Sequence, residues 1–194
     1  EFTAVMGASG SGKTTLLNVI STIDAVSAGN IEINGNSICE LRENELAEFR
    51  KKELGFIFQD FNLLDTLTLQ ENIALPLTLL KKRAEQIDPQ VNALAEILQI
   101  QDILEKYPYQ VSGGQRQRCA CARAMIHDPS LILADEPTGN LDSTNGLEVM
   151  ELLSELNRQG TTVVIVTHSQ RDAKYAHRVI HLLDGRIVSE DRIR

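Results

Sequence analysis

A glycine-rich segment near the start of the chain has the residue types and spacing of a phosphate-binding loop. Residues 7–14 match G-x-x-x-x-G-K-[ST] at every position, between a predicted strand and a predicted helix. Glycines let backbone N–H groups approach a phosphate chain, and the helix N-terminus adds a favourable dipole. Lys13 can reach the β- and γ-phosphates, and the Thr14 hydroxyl can ligate Mg²⁺. The other predicted phosphate contacts are Gly7, Ser9, Gly10, Ser11, Gly12 and Thr15.

Two acidic residues end an apolar strand predicted at Leu131 to Ala134. A carboxylate at the carboxyl end of a strand beside the phosphate-binding loop can hold the Mg²⁺ shell, which we expect of Asp135. Glu136 can then polarise the water that attacks the γ-phosphate. Taken alone, this dipeptide is more often a solvated acidic turn, but its pairing with the loop favours the site.

Two further polar side chains follow short apolar strands. Gln59 comes after residues 56–58, and His168 comes after residues 163–167. Because the carboxyl ends of parallel strands share one rim of the sheet, both can face the nucleotide. We expect Gln59 to contact Mg²⁺ or the attacking water, and His168 to hydrogen-bond the γ-phosphate. Isolated loop residues of these types are more often solvated, so the shared rim is what favours function.

A second helix start with anion-binding character lies in the helical part of the chain. Ser112 is a favoured N-cap residue, and Gly113 and Gly114 permit a close approach of the backbone to an anion. Gln115 follows in the first turn. Since one nucleotide needs one phosphate-binding loop, this second site is predicted to serve a neighbouring molecule. An ordinary capped helix start is the alternative.

The order of predicted elements indicates an α/β fold with a parallel sheet, interrupted by a helical insert. Residues 161–166 form a β-branched run typical of an interior parallel strand. Asn34-Gly35 predicts a hairpin within residues 31–38, and a second hairpin closes the chain. From residue 69 to residue 125 only helices and turns are predicted, punctuated by prolines.

The composition excludes several classes of protein. The 194 residues are 42% hydrophobic and 24% charged, which suits a buried core, and the net charge of −8 argues against a general nucleic-acid binder. No apolar run is long enough to span a bilayer. Three cysteines do not make a disulfide framework and favour a reducing compartment. Cys119 and Cys121 lie two positions apart on a helix, so we do not expect them to share a metal.

In their order along the chain, these motifs resemble the ATPase subunit of an ABC transporter, over nearly the whole sequence. One mild departure is Val111, where the family usually has Leu. The resemblance implies a P-loop NTPase (RecA-like) core with ATP and Mg²⁺ as cofactors. In this division the core covers residues 1–59 and 126–194, with a partial antiparallel β-subdomain at about 30–40 and an α-helical subdomain at 60–125.

The resemblance also implies how the binding and catalytic residues are distributed between two subunits. Two copies pair head to tail around two ATP molecules, and the Ser112–Gln115 signature of one copy binds the γ-phosphate held by the other copy's Lys13. Asp142 couples the two sites, and His168 is the switch histidine. The implied catalytic residues are Glu136, His168 and Gln59, and the implied metal ligands are Thr14, Gln59 and Asp135.

Residues 56–64 and 134–142 resemble in particular the subgroup for lipoprotein release, macrolide export and peptide-antibiotic export. The partners implied are a transmembrane permease and a second ATPase subunit, at the cytoplasmic face of the cell membrane. Phe61 and Leu63 are expected on the surface that receives a short permease helix, whereas Leu67 and Leu69 are expected in the core of the insert. An N-terminal segment ahead of Glu1, with an adenine-stacking aromatic residue, is also implied.

Three alternative functions differ in how well the sequence fits them. ABC-type ATPases of DNA repair insert a long coiled coil between the two lobes, and here Gln59 and Ser112 are 53 positions apart (112 − 59). A regulator that signals through a membrane partner would use the same motor residues and stays an alternative. A GTPase is disfavoured because the chain has no Asn-Lys-x-Asp guanine reader. Arg116, Arg118 and Arg123 are expected on a solvated or interface face.

Overall fold

A computed structural model describes residues 1–193 of the chain. Its helices are α1 Lys13–Ile20, α2 Glu43–Glu53, α3 Leu69–Leu79, α4 Ala84–Ile97, α5 Gly113–Met125, α6 Ser143–Arg158 and α7 Gln170–Ala173. Single 3-10 turns occur at Ile38–Glu40, Gln101–Ile103 and Pro108–Gln110. The strands are β1 Phe2–Met6, β2 Glu32–Ile33, β3 Asn36–Ser37, β4 Leu54–Ile57, β5 Leu131–Asp135, β6 Thr162–Thr167, β7 Arg178–Leu183 and β8 Arg186–Arg192.

The centre of the fold is a sheet that has, within residues 1–193, six strands in the order β4-β5-β6-β1-β7-β8. Neighbouring strands are parallel except for the β7–β8 pair. β1 and β5 are buried along nearly their whole length, as strands covered by helices on both faces must be. The predicted α/β class with a mostly parallel sheet is confirmed.

The four strands β4, β5, β6 and β1 all end at the same edge of this sheet, because they run in one direction. The segments that follow them are therefore brought together although they are far apart in sequence. The loop after β1 leads into α1, and the residues after β4, β5 and β6 are Phe58, Glu136 and His168. This edge is where the site is assembled.

The helices between β4 and β5 have a core of their own. Leu69, Ile73 and Leu77 of α3 are fully buried against Val91 of α4 and Cys119 of α5. The other side of α5 packs on β4 and α6, so this one helix joins the helical core to the sheet. The arrangement fits the proposed helical subdomain at 60–125, whose boundaries stay a prediction. Among residues 1–193, no helix combines the length and apolarity that crossing a bilayer requires.

The two predicted hairpins form with the turn chemistry that their sequences require. Asn34 and Gly35 both have positive φ, at 52° and 72°, which is what a two-residue turn with matched strand twist needs. Their strands β2 and β3 are only two residues long each. Asp184 and Gly185, at φ 46° and 73°, make the equivalent turn between β7 and β8.

Candidate nucleotide-binding site

The loop between β1 and α1 has the backbone geometry of a phosphate cradle. Gly10 and Gly12 have φ of 79° and 97°, in the left-handed region that residues with a Cβ rarely adopt. Gly12 is the N-cap of α1, so the start of that helix opens into the loop. The Lys13 ammonium lies over the loop and donates to the carbonyls of Gly7 and Ala8, at 2.8 and 2.9 Å. The positive charge is thus held against the backbone of the loop.

Gly7 and Ser11 support this loop from beneath. A Cβ on Gly7 would lie 2.4 Å from the Leu182 carbonyl oxygen and 2.5 Å from Ser11 Oγ, so only glycine fits there. Ser11 is 3% exposed, and its hydroxyl has no hydrogen-bond partner. Both residues were predicted phosphate contacts, but their side-chain positions face the protein interior. Any contact that they make with phosphate is through the backbone.

A cleft of about 660 Å³ lies beside the loop and gathers the predicted catalytic and metal-binding side chains. Its lining residues are Ser9, Gly10, Gly12, Lys13, Thr14, Thr15, Gln59, Asp135, Glu136 and His168. The shared rim of the parallel strands therefore places Gln59 and His168 opposite the phosphate-binding loop, as their positions after β4 and β6 predict. Mixed hydroxyl, amide, carboxylate and imidazole groups in one cleft suit a phosphorylated ligand with a divalent cation.

Thr14 and Asp135 form the polar pair at the floor of the cleft. Thr14 Oγ1 donates to Asp135 Oδ2 at 3.2 Å. Burial raises the pKa of Asp135 above its ordinary value, and the Thr14 hydrogen bond opposes that shift. A hydroxyl beside one carboxylate is the donor set that Mg²⁺ takes when phosphate oxygens and waters supply its other ligands. Across residues 1–193, no cluster of three or more His, Cys, Asp or Glu side chains offers a cage for a metal.

Glu136 is held in a conformation that a glutamate seldom adopts. Its φ is 45°, in the left-handed region, and its N–H donates to the Val166 carbonyl at 2.9 Å. One carboxylate oxygen lies 2.7 Å from His168 Nδ1, and the other accepts a hydrogen bond from Thr167 Oγ1 at 3.2 Å. The glutamate side chain is only 14% exposed, whereas that of His168 is 74% exposed. Thr167, which the sequence did not single out, therefore helps to fix this carboxylate.

The signature segment begins α5 with a reciprocal cap. Ser112 Oγ accepts from the Gln115 N–H at 3.3 Å, and Gln115 Oε1 accepts from the Ser112 N–H at 2.9 Å. A Cβ on Gly113 would meet its nearest neighbours at 3.9 Å, but a Cβ on Gly114 would lie 2.2 Å from Asn145 Oδ1. A side chain at Gly114 would therefore need Asn145 of α6 to move. None of the signature residues lines the cleft at the phosphate-binding loop of the same subunit.

Asp142 caps the helix α6. Its Oδ1 accepts from the backbone N–H groups of Thr144 and Asn145, at 3.0 and 3.1 Å, and its Oδ2 accepts from Asn145 Nδ2. The hydrogen bonds from Asn145 hold the pKa of the Asp142 carboxyl below its ordinary value. Arg118 of α5 donates to Asn145 Oδ1 at 3.2 Å, so Asn145 joins the Asp142 loop to the signature helix. The expected role of Asp142 between two subunits stays a prediction.

The arginines that follow the signature are partly exposed, and they contact other parts of the subunit. Arg123 donates to the carbonyls of Phe61 and Asn62, at 2.9 and 2.6 Å, and both of these residues have positive φ. The guanidinium of Arg116 lies 5.1 Å from the centre of the Phe61 ring. Phe61 is only 8% exposed, so the expectation that it lies on the partner surface is wrong. Leu64, at 46%, is the large apolar residue that this segment exposes.

A parallel sheet whose strand ends surround a G-x-x-x-x-G-K-[ST] loop defines a P-loop NTPase. The family model for the ABC transporter matches residues 1–139. The ABC transporter ATP-binding protein YxdL of Bacillus subtilis is 57% identical over 98% of this chain and 74% of its own length. This chain belongs to the ABC transporter family and is an ATP-binding and ATP-hydrolysing subunit of that family, as its sequence resemblance implies.

Two other similar proteins bear on the subgroup and on assembly. The bacitracin export ATP-binding protein BceA of Halalkalibacterium halodurans is 52% identical over 98% of this chain and 76% of its own length, which confirms the predicted subgroup. The cassette MJ0796, solved as a dimer in a post-hydrolysis state with ADP and Pi, is 40% identical, with a TM-score of 0.92 over 100% of this chain and 86% of that one.

Proposed function

We propose that this protein hydrolyses ATP in a site completed by the signature segment of a second copy, and that this cycle powers a membrane permease. One observation carries the proposal. The phosphate-binding loop and three strand ends meet in one cleft, while the exposed Ser112 at the start of α5 lies outside that cleft in the same subunit. A head-to-tail partner can supply Ser112 to this cleft, as the dimeric assembly of the related cassette supports.

The chain's own residues account for the steps of hydrolysis. Lys13 and the loop N–H groups bind the phosphate chain, while Thr14, Asp135 and Gln59 would hold Mg²⁺, which neutralises developing charge on the phosphates. Glu136 orients a water and accepts its proton as the water oxygen bonds to the γ-phosphorus and the bond to ADP breaks. Loss of the γ-phosphate removes the ligand shared by two subunits, so the dimer opens.

His168 and Thr167 fix the orientation of the Glu136 side chain. Each binds one oxygen of the Glu136 carboxylate, so the side chain has little freedom to turn away from the cleft. His168 also lines the cleft, which supports a contact between this residue and the γ-phosphate. A base fixed in this way saves the cost of orienting it during each turnover.

The test of this proposal is the variant Glu136→Gln, which keeps the shape of the side chain and removes its basicity. ATP turnover should fall roughly 10²- to 10⁴-fold, because general base catalysis is typically worth that much. ATP binding should persist, and ATP should produce a stable dimer by sedimentation. Glu151→Gln, on the exposed side of α6, is the matched control. Ordinary turnover in Glu136→Gln would show that another group is the base.

We place the permease contact at an apolar groove of about 350 Å³ between β4 and α3. Its floor includes Phe56, Phe58 and Leu79, and Leu79 is 53% exposed. Arg50 and Arg123 also line it, so the surface favours an amphipathic permease helix that carries an acidic residue. Through this contact the subunit would sit at the cytoplasmic face of the membrane.

A further inference from the structure

Asp172 is a buried carboxylate that lies outside the cleft. It is 0% exposed, on the short helix α7 that follows His168. Thr138 Oγ1 donates to one of its oxygens, and Arg171 Nε lies 3.2 Å from the other. Burying a carboxylate is costly unless hydrogen bonds and an ion pair compensate, and Thr138 and Arg171 supply these to Asp172.

A chain of hydrogen bonds connects Asp172 to Glu136. Thr167 Oγ1 donates to Glu136 Oε2 at 3.2 Å and accepts from the Ser169 N–H at 3.0 Å. Ser169 Oγ accepts from the Asp172 N–H at 3.2 Å, and Asp172 accepts from Thr138 Oγ1. Thr138 lies two positions after Glu136 in the chain. Both ends of this short segment are therefore tied to the segment after β6.

The segment needs such ties because its backbone is strained and tightly turned. Glu136 has a φ of 45°, a conformation that persists only when the surroundings impose it. Its carbonyl accepts from the Gly139 N–H at 2.9 Å, and the Thr138 carbonyl accepts from the Leu141 N–H at 3.0 Å. On the far side, a Cβ at Gly146 would lie 3.5 Å from the Thr138 side chain. Thr138 thus anchors the segment between Glu136 and the Asp142 loop.

We propose that Asp172 is a positioning residue for ATP hydrolysis, which anchors Thr138 and thereby holds the Glu136 carboxylate at the cleft. The inference rests on the proposed role of Glu136 as the general base. Asp172 does not touch the cleft itself, so it acts on the rate of the chemical step and leaves nucleotide binding at the β1–α1 loop unchanged.

The test uses the full-length protein with Thr138→Val, which keeps the side-chain shape and removes the hydroxyl. We expect kcat to fall at least about tenfold while KM for ATP changes less than about twofold. Thr138→Ser, which restores a hydroxyl, should recover most of kcat. Thr78→Val is the matched control, since Thr78 is exposed on α3 and its hydroxyl only bonds the Ala74 carbonyl.

A second variant keeps the proposal testable if Thr138→Val does not fold. Asp172→Leu keeps the approximate size of the side chain and removes both acceptor oxygens, so it should show the same loss of kcat at unchanged KM. When both single variants fold, the double variant should be no less active than the less active single variant, because both substitutions break the same contact. An unchanged kcat in both variants, or parallel changes in kcat and KM, would overturn the positioning role. The Glu136→Gln result is read separately and tests the base assignment alone.

Discussion

Gly114→Ala should destabilise the subunit through a single identified neighbour. A Cβ at this position would lie 2.2 Å from Asn145 Oδ1 and 2.5 Å from Asn145 Cγ, well inside van der Waals contact. Asn145 cannot yield freely, because its side chain binds Asp142 and receives a hydrogen bond from Arg118. The adjacent Gly113 is the matched control, since the nearest atoms to its added Cβ lie at 3.9 Å.

The size of the effect follows from terms of opposite sign. Overpacking typically costs about 1–3 kcal/mol, and each hydrogen bond that Asn145 loses costs about 0.5–1.5 kcal/mol. Replacing a helical glycine by alanine returns at most about 1 kcal/mol. Gly113→Ala has the same helix gain without the clash, so relative to it Gly114→Ala should lower the free energy of unfolding by about 1.5–4.5 kcal/mol when one Asn145 hydrogen bond is lost.

Urea denaturation of the subunit without nucleotide measures this difference, with the slope expected to stay constant. Asn145→Ala removes the obstructing amide. In that background the destabilisation caused by Gly114→Ala should be smaller by at least about 1 kcal/mol. Equal stability of Gly113→Ala and Gly114→Ala would refute the reasoning. Additive effects of Gly114→Ala and Asn145→Ala would refute it as well, because the clash would then involve another group.

Three further predictions concern metal binding, thiol reactivity and the permease. Burial raises the pKa of Asp135, so its carboxylate takes up a proton at a higher pH than an ordinary aspartate. The Mg²⁺ concentration for half-maximal turnover should therefore rise on acidification before pH falls to about 4, and a constant requirement would contradict this. Burial raises the pKa of Cys119 and Cys121 to about 12, so maleimide should label only Cys39 of these three in the folded protein, as mass spectrometry can check. Leu79→Ala should weaken permease binding about three- to tenfold, because burying the exposed half of a leucine is worth roughly 0.8–1.5 kcal/mol, without changing ATP hydrolysis by the free subunit. Unchanged permease binding would show that the groove is not part of the interface.

The parts of the site that depend on strand order could be predicted from the sequence. Gln59, Asp135 and His168 follow apolar strands, and parallel pairing alone is enough to bring such positions to one rim. The backbone geometry of the loop could likewise be predicted from its glycine pattern, because Gly10 and Gly12 take left-handed conformations that glycine favours. These inferences need the topology of the sheet and nothing about side-chain packing.

The contacts that depend on packing could not be predicted in this way. Phe61 and Asn62 have positive φ without being glycine, so no local signal indicates that their carbonyls turn toward Arg123. An arginine on a predicted helix is ordinarily assigned to solvent, and its role here depends on the loop that it binds. Asp172 was missed for the same reason, since its partner Thr138 is 34 positions away in the sequence.

The central claim is that each ATP is held by the loop of one subunit and the signature of another. Lys13→Ala disables the first half, and Ser112→Arg disables the second, so either variant alone should be inactive. Mixed in equal amounts, half of the dimers pair the two variants and keep one intact site, so activity should recover to about a quarter of the unmodified value. A mixture no more active than the two variants apart would contradict the composite site.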